Sequence, residues 1–91
     1  MTTEKTPLQP PQGIKLPLRA IRETGYVCPD GVVISINWDA FVVGASLFIP
    51  AINLVRLNKQ MRIIAKEKKI VLKGYDRIEG GKLGMRFWRI L

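Results

Sequence analysis

The sequence predicts a single small α+β domain: one long amphipathic helix packed on a mainly antiparallel sheet of about 4–5 strands, with a C-terminal β-hairpin. Three observations predict it. An apolar stripe recurs at helical spacing over residues 50–69, and two β-rich runs flank a Gly-Gly pair near the end of the chain. The third is size: 91 residues with 47% hydrophobic content suffice for one core and not for two.

Residues 1–13 carry Pro7, Pro10 and Pro11 among Thr, Gln and charged side chains. Such a composition resists packing and favours extended conformers, so this stretch reads as a flexible Pro-rich arm and residues 14–91 as the domain. After a transitional stretch, IKLPLRAIRET, the run GYVCPDGVVISI reads as a hairpin with strands at 26–28 and 32–36. Pro29 pre-sets its turn and Gly31 takes positive φ after Asp30. The uncharged run over residues 40–55 falls short of the roughly 20 residues a bilayer requires, and Gly44, Ser46, Pro50 and Asn53 interrupt it. It reads instead as a buried strand, SLFI, leading into a helix that opens at Pro50, where a missing N–H costs nothing.

Successive helical residues lie about 100° apart, which puts Leu54, Leu57, Met61, Ile64 and Ala65 on one core-facing stripe. The opposite side carries Arg56, Lys59, Arg62, Lys66 and Lys69, offset nearby by Glu67, and Ile52, Val55 and Ile63 fall on or near it. The runs IVLKGYDRI and KLGMRFWRIL, joined at Glu79-Gly80-Gly81, form the C-terminal hairpin. Alternation in its second strand sets Leu83, Met85 and Phe87 on one face and Arg86, Trp88 and Ile90 on the other.

The formal charge is +8 and the pI about 10.2. Residues 1–55 sum to zero, whereas residues 56–91 hold eleven bases against Glu67, Asp76 and Glu79. The whole excess therefore lies in the helix and the final hairpin, the footprint of a surface that neutralises phosphates. The expected function is nucleic-acid binding, to DNA or RNA, as a small regulator or single-strand binder. The candidate binding residues are Arg56, Lys59, Arg62, Lys66, Lys69, Lys73, Lys82, Arg86, Trp88 and Arg89. Trp88 shares a face with Arg86 and offers a ring for base stacking beside a cation for the backbone. The alternative is an inhibitory protein that binds a host protein through Ile52, Val55, Ile63 and Trp88. A peripheral membrane protein using the same cations on anionic lipid is the third and least favoured reading.

Enzymatic chemistry is not expected. The chain has no histidine and one cysteine, Cys28, so it offers neither a Ser-His-Asp set nor a Cys-His pair nor a zinc cluster. Its seven carboxylates are scattered singly, which leaves no acid–base pair. A phosphate loop ending at Lys82 would need glycine where Asp76 stands and Ser or Thr where Leu83 stands. No cofactor or metal is expected, and the lone cysteine and polar N-terminus point to the cytoplasm.

The order GASLFIP, helix, strand, GGKLGMRFWRI resembles a recurring layout in small phage-encoded proteins, with a Phe-x-Pro entry to a helix and a closing Gly-x-Arg-x-Trp-Arg strand. The resemblance covers residues 43–91. Phe48, Pro50, Gly84, Arg86, Trp88 and Arg89 occupy its positions, with the bulky Phe87 as spacer. It implies a viral origin and a host-cell cytoplasmic setting, and carries no established activity.

Overall fold

The computed structural model describes residues 15–91. The arm expected over residues 1–13 lies outside the described residues. Two helices and three strands follow in the order α1 (Leu18–Thr24), β1 (Ser46–Pro50), α2 (Leu54–Lys68), β2 (Leu72–Glu79) and β3 (Lys82–Arg89), with a 3₁₀ turn at Trp38–Ala40. The strands form one antiparallel sheet in the order β1-β3-β2, so the C-terminal strand is the central one. The α+β class holds, with three sheet strands where four to five were expected and two helices where one was.

The short helix α1 lies in the stretch read as transitional. Ile21 is its one buried residue, too few to produce a visible apolar period. Gly25 ends it in the left-handed region at φ 72°, its N–H bonding the Ile21 carbonyl. Glycine is doubly required there, because a Cβ would stand 2.7 Å from Trp38 Nε1, which donates to the Gly25 carbonyl at 2.8 Å.

The N-terminal hairpin is reduced to one antiparallel bridge, Val27 to Ile34, with N–H···O distances of 3.0 and 2.8 Å. The backbone groups of Cys28 bond to α2 instead of to a second strand. Gln60, buried in α2, accepts from the Cys28 N–H at 2.7 Å and donates to the Cys28 carbonyl at 3.4 Å. The Asp30 carboxylate accepts from the Ile52 and Asn53 N–H groups at 2.8 and 2.9 Å, just ahead of the helix.

Pro50 closes β1 and does not open α2. The β1 strand is a half-buried edge strand, not a buried one, and a sheet edge tolerates a residue with no N–H to donate. The helix starts at Leu54 because Asn53 caps it, accepting from the Arg56 N–H at 3.0 Å. At the other end Lys69 adopts φ 58° and returns its N–H to Ala65 and Lys66.

The hairpin of β2 and β3 turns on Gly80 and Gly81, both at positive φ (58° and 76°), as a two-residue turn of the type I′ hand demands; Glu79 belongs to the strand. Leu57, Met61, Ile64 and Ala65 of the expected stripe are buried against Ile49, Leu72, Met85 and Phe87, and Leu54 is half-buried. Leu83 departs from the expected core set, being 42% exposed near the hairpin tip. Thus α2 covers one face of the sheet and α1 packs on α2. None of the described helices covers the other face.

Candidate nucleic-acid interface

The pleat and the register decide what the uncovered face presents. Three cross-strand rows run over β1, β3 and β2: Ser46–Trp88–Lys73, Phe48–Arg86–Tyr75 and Pro50–Gly84–Arg77, and Lys82 stands opposite Glu79 at the hairpin end. Since residues two apart share a face, all of these lie on the side away from the helix. Each strand contributes one aromatic ring to this face, which holds four cations, Lys73, Arg77, Lys82 and Arg86, and one carboxylate, Glu79.

Trp88 and Tyr75 are diagonal neighbours, with ring centroids 5.6 Å apart and planes at 71°. Tyr75 is 51% exposed and Trp88 half-buried, so the pair forms a partly open aromatic step. Phe48 sits differently. A Cβ on Gly84 would stand 2.7 Å from Phe48 Cζ, so that ring lies across the central strand in the space the glycine leaves. Phe48 and Trp88 are both half-buried, and Tyr75 is the exposed ring of the three.

Arg86 does not present its guanidinium as the sequence suggests. Its Nε and Nη2 donate to the two carboxylate oxygens of Glu79, both at 2.7 Å, and its Nη1 donates to Ser46 Oγ at 2.8 Å. Arg77 Nε adds a contact to Glu79 at 3.2 Å. The Arg86 hydrogen bonds hold the Glu79 carboxyl below its ordinary range; loss of solvent opposes them, and the charges of Arg86 and then Arg77 add to the lowering. The same hydrogen bond raises Arg86. This pair is a brace from the hairpin end to β1; of the other cations on this face Lys73 stands opposite Trp88, Arg77 shares Glu79 with Arg86, and Lys82 lies at the hairpin end, two rows beyond Tyr75.

The remaining predicted residues lie elsewhere. Arg89 falls on the opposite parity and bonds the Leu91 carbonyl at 2.9 Å and the Phe41 carbonyl at 3.1 Å, fixing the chain rather than facing a ligand. Arg62 bends back from α2 to the Leu72 carbonyl and to Asn58 Oδ1. Arg56, Lys59, Lys66 and Lys69 stand on the helical side. The ten residues therefore divide between two sides of the domain instead of forming one surface. Tyr75, Arg77 and Phe48 were not among them. Alternation from the Gly-Gly turn would have placed Tyr75 opposite Arg86, whereas Phe48 joins this face only through the long-range pairing of β1 with β3.

Among the described residues, no group of three His, Cys, Asp or Glu side chains stands where a metal could be held, and no helix is long and apolar enough to cross a membrane. The fold and this face define a small α+β domain with a ring-bearing, cationic sheet surface. Compared with known proteins, the chain matches no family model, no curated protein and no solved structure.

Proposed function

We propose that this protein binds single-stranded nucleic acid on the open face of its sheet. The supporting observation is the Trp88–Tyr75 step on adjacent strands of a face that none of the described helices covers, with Lys73, Arg77 and Lys82 on the same face. Unpaired bases expose π-faces that such rings stack on, and ammonium and guanidinium groups neutralise the phosphates between them. Neighbouring strands are about 4.8 Å apart and same-face residues about 6.7 Å, so the face offers a grid on the scale of successive unstacked nucleotides. In a duplex the bases are paired and stacked on each other, which favours single strands here. The resemblance of residues 43–91 to small phage-encoded proteins implies an infected cell's cytoplasm as the setting and carries no activity of its own; the regulatory or strand-protecting role is proposed from the sheet face alone.

The test is fluorescence anisotropy with labelled oligothymidine and oligouridine. The folded Trp88→Ala, Tyr75→Ala double variant should lose most of its affinity for both. A parent protein that binds no single strand at low salt would refute the proposal. A second reading, binding to a host protein, draws on Ile52 and Val55, each 82% exposed at the start of α2, with Ile78 at 73%. That patch differs from the one the sequence suggests, because Ile63 packs against the core and Trp88 lies on the open sheet face.

A further inference from the structure

The cations that the fold moves away from the sheet face are not dispersed. Lys15, Arg56 and Lys59 line one depression of about 230 Å3 between the start of α1 and α2, floored by Leu16, Ile21 and the buried Gln60. Arg22, Lys66 and Lys69 line a second of about 590 Å3 farther along the same helices, with Ile63 at its base and Glu67 as the one carboxylate. The two depressions lie end to end along α1 and α2. Among the described residues the ion pairs are Arg19–Glu23, Arg77–Glu79 and Arg86–Glu79, which use none of these six cations.

Spacing and chemistry say what such a groove fits. From Arg56 to Lys69 the helix rises about 20 Å, the length of roughly six phosphates along one strand of a duplex. Like charges three and four residues apart weaken a helix, and a bound polyanion reverses that repulsion. No described aromatic ring lines either depression, so nothing there reads a base face. The sheet face has the complementary composition, with rings on every strand. The two surfaces lie on different sides of α2 and the sheet, too far around the domain for one short rigid segment to occupy both.

We propose that the α1–α2 groove is a second, base-independent site for a phosphodiester backbone, so that one molecule holds two nucleic-acid segments at once. The groove takes a backbone by charge, duplex included, while the sheet face takes unstacked bases. The bridging half of this proposal rests on the reading of the sheet face as a single-strand surface. The groove itself does not.

The experiment uses the full chain with two probes, an oligothymidine of about 20 nucleotides and a blunt DNA duplex of about 20 base pairs, carrying a donor and an acceptor dye. The expected result is energy transfer between the probes that depends on the protein and collapses at excess protein, as separate sites require. The Lys59→Gln, Lys66→Gln variant should lose about tenfold or more in duplex affinity at moderate salt and lower its salt slope by about 2, yet the tryptophan quenching that reports oligothymidine on the sheet face, and that Trp88→Ala lacks, should keep its midpoint within about twofold of the parent. The Trp88→Ala, Tyr75→Ala variant should show the reverse. Displacement of oligothymidine by duplex at one equivalent would overturn the proposal, because it means one shared surface. Absence of duplex binding by the parent would overturn it too. Duplex binding that the lysine variant loses, without any oligothymidine binding, would refute the single-strand reading and the bridging with it. Circular dichroism of each variant guards against loss of fold, and these exposed lysines make no core contact.

Discussion

Replacing Trp88 by alanine separates stacking from charge, and the structure sets the size of both effects. With Arg86 held by Glu79 and Ser46, three cations remain on this face: Lys73, Lys82 and Arg77, whose single contact to Glu79 leaves it half-exposed. If each neutralises one phosphate of a single strand, log K falls with log salt at a slope of about 0.7 per contact, or about −2.1 in all. Raising salt from 50 to 200 mM then weakens the parent by roughly 20-fold. Removing a stacked ring costs about 1–3 kcal/mol, a loss of roughly 5- to 150-fold at every salt concentration, with the slope unchanged because no counterion is involved. Arg77→Ala should do the opposite, with a modest loss at low salt and a slope reduced to about −1.4. The assay is anisotropy titration of labelled oligothymidine across that salt range, after circular dichroism shows each variant folded. The reasoning fails if Trp88→Ala binds as tightly as the parent. It fails equally if the parent's slope is steeper than about −4, since the three cations of the sheet face could not supply it.

The brace and the core make further predictions. Because Glu79 ionises below its ordinary value of 4.5 in the folded chain, the unfolded chain binds the proton more readily; the brace stabilises the fold above that value and its contribution is lost as pH falls through the lower, folded value. Thermal melts from pH 6 to 3 should therefore show a steeper loss for the parent than for Glu79→Gln. Leu57→Ala and Ile64→Ala should each cost about 2–5 kcal/mol in denaturant unfolding, since both side chains are fully buried, whereas Lys59→Ala and Lys66→Ala should change stability by less than about 0.5 kcal/mol. Gly84→Ala places a Cβ 2.7 Å from Phe48 Cζ and 2.8 Å from Pro50 Cα, and should lower stability by about 1–3 kcal/mol; an unchanged melting temperature would show that β1 is not paired as described.

By itself the sequence determined what is local. The stripe Leu57, Met61, Ile64, Ala65 and the Gly80–Gly81 turn are encoded within a few residues, because helical period, strand alternation and positive-φ turns act between neighbours, and both elements form, the helix starting at Leu54 instead of Pro50 and the turn leaving Glu79 to its strand. The side of β3 that holds Arg86 and Trp88 was legible for the same reason. Tertiary structure decided everything that depends on distant partners. Gln60 claims the Cys28 N–H from 32 residues away, the Asp30 carboxylate is tied to the Ile52 and Asn53 N–H groups ahead of α2, and the predicted hairpin keeps a single bridge. Pairing of β1 with β3 makes Pro50 the end of an edge strand and brings Phe48 onto the ring-bearing face. Charge counted along the chain is one-dimensional, so eleven bases over residues 56–91 read as one surface. Packing α2 on one face of the sheet parts them, because a helix can bury only one side and the sheet's alternation sends Lys73, Arg77, Arg86 and Trp88 to the other.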